Sequence, residues 1–345
     1  MSLGSIFRGK KVLVTGGTGS IGSEIVKALL ALDPDTVRIF TNSENELFNF
    51  QQELLPFKEK TRFLIGDVRS KSRLRRALRD IDVVFHAAAL KHVPLCEYNP
   101  FEAVKTNIMG TSNLINVASE VGVELLVNIS TDKAVNPINV VGASKLLAEK
   151  LVSVAKFFTR DTVLYSVRFG NVLWSRGSLL PIIHEKILKG EKIPLTDEQM
   201  TRFVMTIPEA VQLVLKTTLH AKGGEVFVLK MPKVRVLDFI EAAADFFCEI
   251  HHLDRNSVEI EKIGKRPGEK LSEALLTPEE SEIAYELEDL IVLPVINFLN
   301  PDQPLEVPPQ ARKLASVYDS ADGPFLTREE ILRLLRDSAP PQFSR

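Results

Sequence analysis

Cysteine is scarce in this chain of 345 residues: Cys96 and Cys248 lie far apart and show no metal-ligand spacing. That excludes a disulfide framework and suits a reducing compartment. Long hydrophobic runs are missing too, none approaching the roughly 20 residues that cross a bilayer. The first residues show no signal-peptide core, so a cytoplasmic protein without a membrane partner is expected. Neither sign of charge dominates: 43 Lys and Arg against 45 Asp and Glu give a net charge of −2. Such a chain has no overall field to gather nucleic acid. No cluster of His or Cys has metal-site spacing, so no metal is expected. What remains is an ordinary globular mix, 45% hydrophobic and 26% charged. At about 150 residues per domain, the length fits one large unit with an appended lobe.

The first half alternates short apolar runs with helical stretches. Residues 11–15, 36–40, 62–65, 82–86, 125–129 and 163–168 are brief and rich in Val, Ile, Leu and Phe, as strands buried on both faces are. Between them, residues 21–32, 44–55, 71–79 and 100–121 carry apolar residues at helical spacing. The basic residues in 71–79 interleave with Leu74, Ala77 and Leu78, which reads as a solvated helix face. The alternation predicts an α/β fold, a Rossmann-type doubly wound parallel sheet, and the later residues suggest a smaller C-terminal lobe. Sheets of this kind bind ligands at the carboxyl ends of their strands.

Residues 15–22 read TGGTGSIG, after a strand and before an amphipathic helix. Gly16 suits a tight turn, Gly19 a close approach of backbone to pyrophosphate, and Gly22 close helix–strand packing. Thr18, Ser20 and Ile21 complete the turn and the helix start, whose N–H groups favour phosphate. Asp67 and Val68, after the third strand, are placed to reach an adenine. Ala87, Ala88 and Ala89, after the fourth, let a cofactor lie against backbone. The second strand ends in Thr41-Asn42-Ser43-Glu44, with neither an Asp for a ribose hydroxyl nor an Arg for a 2′-phosphate. Thr41, Asn42 and Ser43 are candidate donors to a phosphate and Glu44 a candidate acceptor from a hydroxyl, while Asn42 or Ser43 also suits a helix cap. NADP and NAD both stay open.

Beyond the fifth strand come STDKAVNP (130–137) and GASK (142–145). With TGGTGSIG, GDVRS, HAAALKHVPLCEYNPFEAVKTN, VRFGNVLWSRGS, DEQMTRF and KRPGEK, the chain resembles the extended short-chain dehydrogenase/reductases. Within them it resembles the 5-inverting UDP-N-acetylglucosamine 4,6-dehydratases of polysaccharide biosynthesis. The resemblance implies a tightly bound NADP or NAD, with NADP slightly favoured, and a UDP-sugar substrate oxidised at C4. Water is lost across C5 and C6, and the hydride returns to C6. It makes Lys133 the C5 base and Asp132 the acid for the departing hydroxyl. Thr131 is a further catalytic candidate, Lys145 holds the nicotinamide ribose, and Lys91 is a cofactor or substrate contact. One departure stands out: the superfamily's Tyr, four residues before Lys145, is replaced by Val141. Valine moves no proton, so C4 oxidation would shift to Lys133, Thr131 or a water.

Asn171, Arg176, Arg202, Arg266 and Glu269 fall in the stretches that resemble the substrate lobe, where Arg forks suit a diphosphate. The expected division is 1–168 for the dinucleotide half, with 205–232 returning to it. Residues 169–204 and 233–300 form the substrate lobe, and 301–345 a C-terminal arm and helix. The proline-rich stretch at 300–309 reads as extended. The resemblance also implies a homo-oligomer. Two other readings remain beside dehydration: a UDP-sugar 4- or 5-epimerase, and a non-catalytic NAD(P)-binding protein, the latter prompted by Val141.

Overall fold

The computed structural model describes residues 2–159, 161–265, 267–296 and 307–343. Two compact units emerge. The first comprises Met1–Phe169, Val211–Lys230 and Leu276–Val317; the second comprises Gly170–Ala210, Met231–Leu275 and Tyr318–Arg345.

The first unit is built on β1 (Lys11–Thr15), β2 (Thr36–Thr41), β3 (Thr61–Ile65), β4 (Val83–His86), β5 (Leu125–Ile129), β6 (Val163–Arg168) and β7 (Val226–Leu229). These run parallel in the order β7-β6-β5-β4-β1-β2-β3. The crossovers include α1 (Ser20–Leu30), α2 (Glu44–Glu53), α3 (Lys71–Ala77), α4 (Gly110–Val121) and α5 (Val140–Ala155). Leu13, Phe40, Val84, Leu126 and Leu164 are fully buried with Leu74, Leu114 and Val117 from the helices. Each such side chain contributes roughly 1.5–3 kcal/mol. The chain steps outward from β1 to β3 and returns to the far side of β1 for β4. The carboxyl ends of β1 and β4 therefore flank the crevice where open α/β sheets take ligands.

Two features depart from expectation. The described residues 276–296 do not join the expected substrate lobe. β8 (Tyr285–Glu286), β9 (Leu290–Leu293) and β10 (Arg312–Lys313) form an antiparallel edge to the main sheet, with β9 hydrogen-bonded to β7. The expected helix over 100–121 is also interrupted. A short helix, Pro100–Ala103, runs into a π-helical turn, Val104–Met109, before α4. Such turns put an extra residue on one face and often mark functional sites.

The second unit packs α6 (Leu179–Leu188), α7 (Val236–His251) and α8 (Arg328–Ser338) around Ile183, Ile187, Phe239, Phe247, Ile331 and Leu335. The capping box at Thr327 and Glu330 starts α8. The tail is thus no separate arm, because Ile331 and Leu335 fill this core; the described residues 307–317 stay with the first unit. Residues 300–306 of the expected extended stretch lie outside the described residues. No described helix is long and apolar enough to cross a membrane.

Candidate functional site

β1 leads into Gly16, at φ +63°, whose N–H donates to the Phe40 carbonyl at 2.8 Å. A Cβ there would stand 2.7 Å from Ala88 N, and one on Gly22 would stand 2.2 Å from Gly16 O. Only glycine lets the turn touch the β4 loop on one side and α1 on the other. Gly17, not singled out in the sequence, is just as confined: its Cβ would meet Ile39 Cγ2 at 2.8 Å. Gly19 precedes α1 and offers no side-chain cap. The end of α1 at Ser20 and Ile21 thus keeps the backbone polarity that favours an anion.

At the neighbouring strand ends the candidates divide. Asn42 is exposed, while Ser43 caps α2, its Oγ accepting from Glu46 N at 3.4 Å. Thr18 donates to the Glu46 carboxylate at 2.7 Å, so a residue that sequence reasoning passed over reaches the glycine turn. Asp67 is gripped by Arg69 through Nε at 2.9 Å and Nη2 at 2.6 Å, which holds its carboxyl below the ordinary range. Val68 is buried beneath Gly110, whose Cβ would meet Val68 Cγ2 at 2.7 Å. Ala87, Ala88 and Ala89 are half-buried and Lys91 is exposed.

Behind this loop lies a buried polar relay. Thr111 Oγ1 donates to Asn107 O at 2.7 Å, so it accepts from His86 Nε2 at 3.0 Å; His86 Nδ1 then accepts from Thr15 Oγ1 at 2.7 Å. The ring is neutral, its pKa lowered to about 3 by burial and the Lys145 charge. Asn107, in the π-helical turn, accepts from Leu90 N at 2.8 Å and donates to Leu90 O at 3.0 Å and Ser144 Oγ at 2.9 Å. It ties the loop after β4 to α5. An Asn inside an apolar helical pattern was the available signal, yet periodicity runs through it undisturbed.

The chain leaves β5 through Thr131 into a single 3₁₀ turn, Asp132–Ala134. Asp132 is fully buried, and its Oδ1 accepts from Thr131 Oγ1 at 2.8 Å and Lys133 Nζ at 3.0 Å. The Lys133 side chain keeps 28% exposure, so one end of the pair is sealed and the other open. Gly142 sets this turn against α5, since a Cβ there would lie 2.1 Å from Lys133 O. Lys145 is buried and donates to Ile129 O at 2.7 Å; burial lowers its pKa to about 8, with Glu149 opposing. Glu149 also takes Ser130 Oγ and a bidentate Arg168, which in turn reaches Glu280 at 2.8 Å. Neither Glu149 nor Arg168 was anticipated as part of this site. Val141 is buried with Cys96 and Ala103, a packing position.

In the second unit, Asn171 and Arg176 are exposed. Arg202 donates to the carbonyls of Thr201 at 2.7 Å, Lys270 at 2.9 Å and Leu271 at 3.1 Å, thereby holding the Lys270 segment. Glu269 is half-buried, and its Oε2 has no hydrogen-bond partner among the described residues. Arg266 lies outside the described residues. Asn171 and Arg202 line a small cavity of about 50 Å³ with Ser178, whose buried Oγ likewise lacks a partner among the described residues. Among the described residues, no three His, Cys, Asp or Glu are grouped to hold a metal.

The chain is 51% identical over 337 residues to an uncharacterized membrane protein of Methanocaldococcus jannaschii, covering 97% of this chain and 98% of that one. It is 38% identical over 341 residues to UDP-N-acetylglucosamine 4,6-dehydratase (inverting) of Campylobacter jejuni, covering 96% and 98%. The X-ray structure of Pen from Bacillus thuringiensis superposes with a TM-score of 0.88 at 40% identity, covering 96% of this chain and 98% of that one. The family described as "Polysaccharide biosynthesis protein" matches residues 12–294, and the chain belongs to that family of extended short-chain dehydrogenase/reductases.

Proposed function

We propose that the protein is a UDP-N-acetylhexosamine 4,6-dehydratase, acting on UDP-N-acetylglucosamine with inversion at C5. The observation that carries this reading is the Asp132–Lys133 pair at the end of β5. It lies in the same sheet as the glycine turn, β5 being two strands from β1, or about 10 Å across the sheet. The glycine turn, the uncapped end of α1 and the small residues of Ala87–Ala89 fit a dinucleotide. A nicotinamide held there would supply reversible hydride acceptance from the sugar.

The chain's own part is proton handling. One proton passing from Lys133 Nζ to Asp132 Oδ1 across their 3.0 Å contact leaves an amine and a carboxylic acid. The amine, on the open side, removes the C5 proton; the acid protonates the C6 hydroxyl as it leaves as water. Thr131 holds Asp132 in place during the exchange. Lys145 reaches the nicotinamide ribose, and Lys91 is a contact at the mouth of the loop. Asn42, Ser43, Asp67 and Val68 surround the adenosine end, Asp67 with its carboxylate already engaged by Arg69. In the second unit, Asn171, Arg176, Arg202 and Arg266 are assigned to the diphosphate and Glu269 to a hydroxyl. Self-association into a homo-oligomer belongs to the same reading.

Incubating the protein with UDP-N-acetylglucosamine in deuterated water, with NMR of the product, tests the reading. A methyl group at C6 with deuterium at C5 supports it. An intact hydroxymethyl with inverted stereochemistry makes the protein an epimerase, and tight dinucleotide binding without turnover makes it a non-catalytic binder. Lys133→Ala lowers kcat by about 10²–10⁴-fold if Lys133 is the base; wild-type dehydration in that variant removes the assignment.

A further inference from the structure

We propose that the C-terminal segment positions the loop 171–178 for the substrate diphosphate, by clamping Trp174 in a backbone conformation that only glycine takes freely. The functional half of this rests on the proposed assignment of Asn171 and Arg176 to that group. Asn171 and Val172 pair in parallel with Val204 and Met205, and Leu173 N still donates to Met205 O at 2.9 Å. The chain then leaves the sheet abruptly. Trp174 lies at φ +61°, in the left-handed region, and Gly177 follows at φ +71° before Ser178 opens α6. Gly177 takes such a φ without penalty, whereas a bulky aromatic residue is a rare occupant and persists there only when its surroundings hold it. Arg176 lies between the two, so the turn at Trp174 aims it.

The hold comes from the far end of the chain. Trp174 Nε1 donates to Ser338 Oγ at 2.9 Å, and that hydroxyl gives its own hydrogen to Leu334 O at 2.6 Å. The acceptor is thus fixed at the last residue of α8. Phe343, in the single 3₁₀ turn Pro341–Phe343, stacks on the indole with ring centroids 5.1 Å apart and 23° between the planes. His184 of α6 stands edge-on to Phe343 at 4.8 Å. Phe246 and Phe247 of α7 meet the indole at 6.0 and 6.1 Å. Aromatic pairs so arranged attract beyond the area they bury, and an indole N–H taken from water needs its acceptor. Filling a core does not require a left-handed backbone. Here the ring is pinned, and the bend follows from where it is pinned. The fraction of molecules with the loop bent then sets the apparent affinity for whatever the loop binds.

Trp174 is the only tryptophan in the chain, so its emission reports on the clamp directly. Phe343→Ala shifts that emission to the red in the ligand-free full-length protein. It also raises the Kd of UDP, measured by calorimetry, about tenfold. In turnover of UDP-N-acetylglucosamine the loss falls on KM, with a smaller change in kcat. Ser338→Ala, the milder change and the safeguard should Phe343→Ala fold poorly, weakens UDP binding by about threefold. Trp174→Gly removes the strain together with the ring. It is the least stable of the three in a thermal melt, yet binds UDP within about threefold of the wild type. Were these residues core filling only, affinity would follow stability and Trp174→Gly would bind worst. That order, or wild-type affinity in both Phe343→Ala and Ser338→Ala, overturns the proposal, and an unshifted emission in Phe343→Ala overturns the clamp itself. A wild type that binds no UDP overturns the assignment of Asn171 and Arg176, and this use of the clamp with it.

Discussion

The two ends of the candidate site are built on opposite principles. At the β1–β4 end the walls are made by missing side chains. Gly16, Gly17 and Gly22 allow contacts that a single Cβ would bring to between 2.2 and 2.8 Å. At the β5–β6 end, charges are arranged so that they cancel: the buried Lys145 and Arg168 against the buried Glu149 and the partly buried Glu280, beside the Asp132–Lys133 pair. A surface defined by backbone presents N–H groups and shape, which suits a phosphate-linked ligand that stays bound. A surface defined by paired charges is a store of protons and fixed fields, which suits chemistry. The first fails by steric collision; the second fails when one charge loses its partner.

The charged end is most sensitive at Arg168. Arg168 is 1% exposed, and burial is outweighed by its two carboxylate partners, which raise its pKa. Arg168→Met leaves the buried Glu149 and the partly buried Glu280 without this cation and destabilises the protein by about 3–5 kcal/mol in denaturant unfolding. Adding Glu149→Gln to that background restores part of the loss, because one stranded charge is removed. If the double variant is no more stable than the single, the carboxylates were not the source of the penalty.

Next in size is the nucleotide end. In Gly22→Ala the new methyl meets Gly16 O at 2.2 Å, so α1 must move off the turn. Overpacking of this kind costs about 1–3 kcal/mol. On the proposed reading of the glycine turn, dinucleotide binding falls further than stability does, since the helix end is displaced from where the phosphates would lie. Calorimetry of binding beside a thermal melt separates the two. Equal losses in both would make Gly22 a packing residue only.

The same contrast explains what the sequence made legible. Strands buried on both faces are unbroken apolar runs, so β1, β2 and β4–β6 stand out, and a glycine-rich turn between strand and helix has one structural use. The charged network is harder to see, because Glu149 and Arg168 look like surface residues until β6 and α5 are packed together. The π-helical turn at Asn107 hides inside regular periodicity. β8 and β10, two residues each, carry too little pattern to place these short strands at the edge of the main sheet. Val141 was conspicuous for a proton it cannot carry; its place among Cys96 and Ala103 is set by packing, a property visible only in three dimensions.

A smaller change belongs to the β1–β4 end, where His86 is a buried titratable group. His86 stands at the end of β4 between Thr15 and Thr111, with a folded pKa of about 3 against about 6.5 when unfolded. Between those values the unfolded chain binds a proton that the folded chain refuses, so stability is complete above pH 6.5 and is lost as the pH falls toward 3. The slope approaches about 1.4 kcal/mol per pH unit for one proton. Unfolding free energies of the wild type and His86→Gln, compared between pH 7 and 4.5, isolate this contribution from the carboxylates common to both. The wild type should lose stability faster than the variant as the solution is acidified. Parallel curves would mean that the ring takes up its proton in the folded state, and that the relay from Thr15 to Asn107 tolerates a charge beside Lys145.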